Sequence, residues 1–199
     1  MSNLLTKVQQ FRRKVAQQSL INFARIYLER HLTFPPAMTH LEIYDLIFSM
    51  LHERGKKLAL AAPRNFGKST MITLIYILYA ICYAKENFIV ILSESADQAR
   101  QILENVKKEL TENPLLRSDF PEIFEAEGKP KPPRWTRSDI VTRNRIQVLA
   151  LGVGQKIRGR RHGNYRPSVI FMDDIESSEN TFSSETREKN RSWLTSAVL

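Results

Sequence analysis

Apolar residues recur at helical spacing at the start of this chain, at Leu4, Val8, Phe11 and Val15 and again at Leu20, Phe23 and Tyr27, which predicts one long or two short amphipathic helices. The stretch "TFPPAM" stops them. A second helix follows from about His40 to Glu53, with Leu41, Tyr44, Ile47, Phe48 and Leu51 on its buried side and Gly55 at its end. "KKLALAA" reads as a short buried strand, the period turns helical from Lys68 to Ile81, and "NFIVILS" reads as another buried strand ending at Ser93. Ser95 with Gln98 three residues on has capping-box spacing and opens a helix that ends near "TENP". Pro114 to Arg137, with Pro121, Pro130, Pro132 and Pro133, reads as a loop. "DIVTRNRIQVLAL" predicts a hairpin turning at Arg143 and Asn144, "SVIFMDD" a third buried strand ended by two acids, and "SSETREKNRSWLTS" a last helix. Strands that are apolar throughout and alternate with helices argue for an α/β fold with a mainly parallel sheet flanked by helices.

With 199 residues and 42% hydrophobic content the chain can fill one compact core, preceded by a helical extension over residues 1–34. Charge sharpens this picture. Residues 129–166 hold eleven Lys/Arg against one acid, Asp139, a net +10 against +9 for the whole chain. So concentrated a block points to a polyanion, nucleic acid or nucleotide phosphate, with a solvated basic loop as the bland alternative. The single cysteine, Cys82, excludes an internal disulfide or a multi-thiolate metal site and reads as a core residue. The longest apolar run, Met71 to Ala84, is 14 residues, short of the ~20 a membrane helix needs.

The chemistry-bearing pattern is "ALAAPRNFGKSTMITL", residues 59–74. It has the form G-x-x-x-x-G-K-[ST] with Ala62 in place of the first glycine. Between a strand and a helix, backbone N–H groups at Phe66, Gly67, Lys68 and Ser69 would surround phosphates at the helix N-terminus. Lys68 would neutralise the β and γ phosphates and Ser69 would ligate Mg2+, with Thr70 a second hydroxyl beside it. Ala62 removes no donor, whereas Pro63 removes an N–H at the start of the loop. About a hundred residues on, "VIFMDD" has the form of a Walker B strand, which presents Asp173 to water on the Mg2+. The base that activates the attacking water is then Asp174 or Glu176. The basic loop "GVGQKIRGRRHGNYRPS" supplies Arg158 first and Arg160 second as an arginine finger, an effect worth ~10³ to 10⁵ in rate. Surface or nucleic-acid contact is the alternative role of each.

"APRNFGKST", "SESADQA" and "GQKIRGRRHGNYRPSVIFMDDIES", in that order, resemble the ATPase domain of bacteriophage terminase large subunits, the motors that package DNA into procapsids. The resemblance covers roughly residues 35–199 and implies a P-loop NTPase domain there, with ATP and Mg2+ as cofactors. It implies that Arg64 and Asn65 of the loop join Phe66 to Thr70 in holding the nucleotide, and that the segment around His40 contacts adenine. Capping its own helix is the other role open to His40. The implied partners are double-stranded DNA, the small terminase subunit, the portal protein and further copies in a ring, in the cytoplasm of a bacterial host. In that family a coupling motif and an RNase H-like nuclease domain follow the Walker B strand, and no nuclease activity is expected of these residues. A helicase-like DNA-dependent ATPase and a catalytically inactive DNA-binding remnant are the other two readings.

Overall fold

The computed structural model describes residues 6–32, 35–51, 53, 55–61, 63, 66–67, 69–123, 134–176 and 183–198. The chain forms two compact units, Met1–Lys85 with Val106–Lys129, and Glu86–Asn105 with Pro130–Leu199.

The first unit is helical. Helix α1 (Lys7–Gln17) opens on a capping box in which the Thr6 hydroxyl accepts from Gln9 N and Thr6 N donates to Gln9 Oε1 at 2.8 Å. α2 (Leu20–Tyr27) starts behind a Ser19 cap, and α3 (Met38–Met50) follows the break at the prolines. A π-helical turn over Ser69–Leu74 leads into α4 (Ile75–Cys82), whose eight residues are all buried. The core gathers aromatic rings: Phe23 lies 5.1 Å from Tyr27 and 5.6 Å from Tyr79, and Tyr83 meets Phe120 edge-on at 5.3 Å. Helix α5 (Ala96–Glu112) begins in the second unit and ends in the first, with Gln98 N donating to Ser95 Oγ at its start as its spacing predicts.

Three expectations change here. Val8 and Phe11 are 62% and 69% exposed, so α1 does not bury its apolar stripe. It turns Arg12 and Arg13 inward, because Asp119 is fully buried and a desolvated carboxylate without a cation costs more than two exposed apolar side chains. Arg12 clasps Asp119 through Nε at 2.7 Å and Nη2 at 2.5 Å, and the Tyr27 hydroxyl donates to the same carboxylate at 2.9 Å. Next, Pro114 opens helix α6 (Pro114–Asp119) instead of a loop: it occupies the first turn, where its missing N–H is not needed, and Asn113 Oδ1 caps Leu115 N and Leu116 N at 3.1 Å. Last, residues 56–61 form no strand, and Leu58 is 38% exposed. A strand exists only with a ladder partner, and none of the five strands of the sheet pairs with this segment.

The second unit carries that sheet, in the order β2-β3-β4-β1-β5. β1 (Phe88–Ser93) is central and fully buried, flanked in parallel by β4 (Gln147–Gly152) and β5 (Val169–Met172). β3 (Asp139–Val141) pairs antiparallel with β4 across the hairpin turning at Arg143 and Asn144, and β2 (Arg134–Trp135) pairs antiparallel with β3 beyond it. The protein is therefore mixed α/β with a mostly parallel sheet. β5 is half-buried where a buried strand was expected, with Met172 42% exposed, because it is an end strand with β1 as its single neighbour. One face of the sheet packs Phe88, Val90, Leu92, Leu149 and Leu151 against Ile157, with Ile170, Ile175 and Trp193 around them. Trp193 ends α7 (Ser184–Trp193), which starts at the Ser183 cap and continues as a π-helical turn over Leu194–Val198. Cys82 is buried, and no helix among the described residues is long and apolar enough to cross a membrane.

Candidate functional site

The motif residues fall into two sets, one in each unit. In the first unit Gly67 takes φ +75°, a left-handed conformation that a Cβ disfavours, and the chain turns there into the helical segment that starts at Ser69. Ser69 is exposed and Thr70 half-buried at the N-terminus of that segment, where backbone N–H groups have no intrahelical acceptor. π-helical turns are uncommon and frequently occur at functional sites, although a second one, over Leu194–Val198, ends the described residues of this chain. Ala62, Arg64, Asn65 and Lys68 lie outside the described residues.

The structure brings His40 to this loop. Its Nδ1 accepts from Ala37 N–H at 2.9 Å, closing the start of α3, which puts the ring proton on Nε2, 3.3 Å from the Phe66 carbonyl. The His40 and Phe66 rings lie 4.2 Å apart, tilted by 36°. His40 thus caps its helix and also braces the loop, and both ring nitrogens are occupied.

In the second unit the parallel ladder continues one residue beyond β5: Asp173 N donates to Leu92 O at 2.9 Å and Glu94 N to Asp174 O at 3.0 Å. These bonds hold Asp173 beside Ser93, at the carboxyl edge of the parallel strands. Carboxyl edges are where open α/β sheets bind ligands. Asp174 takes φ +45°, a left-handed conformation unusual for a residue with a side chain, and this bends the backbone out of the ladder. Asp173 is half-buried, Asp174 and Glu176 are exposed, and none of the three carboxylates has a cationic partner among the described residues. No group of three metal-ligating side chains occurs among those residues. Mg2+ is commonly held by one or two carboxylates together with substrate phosphates, so an unpaired aspartate at a strand end fits it chemically.

The basic loop is the connection from β4 to β5 and returns from the carboxyl edge to the amino edge of the sheet. Ile157, 4% exposed in the core, anchors it while its neighbours Lys156 and Arg158 face solvent. Lys156, Arg158, Gly159 and Arg160 line an open hollow of about 200 Å3, too small for a whole nucleotide. Arg160 Nε donates to Lys156 O at 2.6 Å, which fixes that side chain against the loop, whereas Arg158 has no such tie among the described residues.

Sequence reasoning missed three residues here. Ile157 is the lone large apolar residue of "QKIRGRR", a detectable anchor signal. His162 and Tyr165 close a small hairpin, with His162 N to Tyr165 O at 2.9 Å and Tyr165 N to His162 O at 3.0 Å, and the glycine inside "HGNY" was its sign. No protein-family model matches this chain, and no curated protein matches its sequence.

Proposed function

We propose that the protein is an ATPase of the terminase type, a P-loop NTPase that hydrolyses MgATP to drive double-stranded DNA into a procapsid. In this reading Lys68 and Ser69, with the loop N–H groups, take the phosphates, and Ser69 and Asp173 hold Mg2+. The cation would draw charge off the phosphates, and the remaining work belongs to the chain. Asp174 or Glu176 accepts the proton of the attacking water. Arg158, which lacks the tie that holds Arg160 to Lys156 O among the described residues, reaches a neighbouring copy's phosphates, with Arg160 second. His40 braces the loop at Phe66, and the segment around it is the one assigned to adenine. The small terminase subunit and the portal are the remaining partners.

The single observation that carries this reading is Asp173, a carboxylate with no cationic partner among the described residues, at the carboxyl edge of adjacent parallel strands. Two acids ending an apolar strand repel each other, and a bound cation removes that cost. The test is the affinity for a fluorescent ATP analogue with Mg2+. Lys68→Ala is expected to weaken it about 10- to 100-fold, the loss of charged hydrogen bonds to phosphate, and equal affinity in both proteins rejects the proposal.

A further inference from the structure

The amino edge of the sheet, the end away from Asp173, carries a second constellation. Ser168 N donates to Phe88 O at 2.8 Å, which fixes the end of the basic loop at the start of β1. His162 Nε2 donates to Arg145 O at 2.7 Å, joining the basic loop to the turn that precedes β4. The His162 ring also meets Phe88, 1% exposed, at 6.4 Å. Two basic segments 17 residues apart are thereby pinned at one edge. β1 is six residues long, so ~20 Å of strand separates this edge from the carboxyl edge.

The hairpin tip itself is closed by backbone bonds. Gly163 takes φ +56°, as the first central residue of a two-residue turn requires, and both cross-hairpin hydrogen bonds are made. Tyr165 stands on this tip 52% exposed, and its ring and hydroxyl have no partner among the described residues. Around it in the chain are Arg160, Arg161 and Arg166, with Arg145 across the His162 bond, all exposed and without a carboxylate partner among the described residues. Residues 140–172 contain no Asp or Glu.

We infer that this tip binds single-stranded nucleic acid, with one unpaired base stacked on Tyr165 and the phosphates on Arg145, Arg161 and Arg166. An exposed ring held by backbone bonds among arginines is the arrangement that stacks unpaired bases, because in a duplex the base faces are already covered. A fixed hairpin reduces the ordering cost of stacking, and the cations supply the salt-dependent backbone term. The inference is independent of the nucleotide reading, since it uses no residue of the phosphate loop or of the β5 end. It adds to the packaging proposal a contact with an unpaired stretch, distinct from the duplex.

The test is fluorescence anisotropy of the full chain with labelled oligo(dT) and with a duplex of equal length. Tyr165→Ala is expected to weaken oligo(dT) binding about 10-fold and leave duplex binding unchanged, and Tyr165→Phe is expected to retain binding. Arg166→Gln is expected to weaken both probes and flatten the salt dependence by about one unit of slope. Equal oligo(dT) affinity in wild type and Tyr165→Ala overturns the inference, as does an equal loss on both probes. If oligo(dT) does not bind wild type at all, it is likewise overturned, whatever ATP does.

Discussion

In the helical unit, Asp119 and Glu109 are 0% and 2% exposed, and each carboxylate is surrounded by donors: Arg12, Tyr27 and Ser118 on one, Arg30, His31 and Asn113 on the other. Among the described residues of the sheet unit, Arg145, Arg158, Arg161 and Arg166 stand exposed with no carboxylate opposite them, and Asp173 ends its strand with no cation. The two arrangements differ in what the charges are for. A buried charge must be satisfied from within or the unit unfolds, so its partners are fixed by architecture. An unsatisfied exposed charge contributes almost nothing to folding, and its electrostatics stay available to a ligand. Internal pairing thus separates the charges that hold this protein together from those that act outward.

The largest effect on folding is expected at the buried side of that contrast. Asp119→Asn leaves Arg12 half-sunk without its counter-charge, and equilibrium denaturation should show a loss of about 3 kcal/mol. Titration sharpens the point. Burial alone would raise Asp119 and Glu109, but the hydrogen bonds from Arg12, Ser118 and Tyr27, and from His31, Asn113 and Arg30, outweigh it and hold both carboxyls below the usual carboxylate range. A carboxylate depressed in the folded state stabilises above its unfolded pKa, near 4, and that stability is lost as pH falls through the lower folded value. Denaturation midpoints should therefore hold steady near neutrality and drop below about pH 4, with a shallower acid limb in Asp119→Asn. The smallest effect is expected at the other pole: Arg161→Gln should change unfolding stability by less than about 0.5 kcal/mol. A cost as large as that of Asp119→Asn would erase the distinction.

How much of this was legible in the chain follows from the range of each interaction. The parallel strands β1 and β5, the β3–β4 hairpin and helices α3 and α5 announce themselves through local period and capping residues such as Ser95, and these are within two or three residues of their expected bounds, whereas the helical period from Lys68 is met by a π-helical turn before α4 starts at Ile75. Failures occur where a distant partner decides. The facing of α1 depends on Asp119, more than a hundred residues away, and the strand expected over "KKLALAA" depends on a ladder neighbour that the local pattern cannot supply. α6 was hidden because proline is read as a breaker unless its position in the first turn is recognised. At the candidate site the residue types were legible, while His40 bracing Phe66 and Asp173 beside Ser93 are outcomes of folding.

The proposal that Lys68 and Asp173 serve one MgATP is tested most directly by a double-mutant cycle on nucleotide affinity. MgATP dissociation constants for wild type, Lys68→Ala, Asp173→Asn and the double variant should show two single losses that fail to add, with a coupling above about 0.5 kcal/mol. Losses that add within about 0.3 kcal/mol, or a single variant that binds as wild type does, would contradict the account.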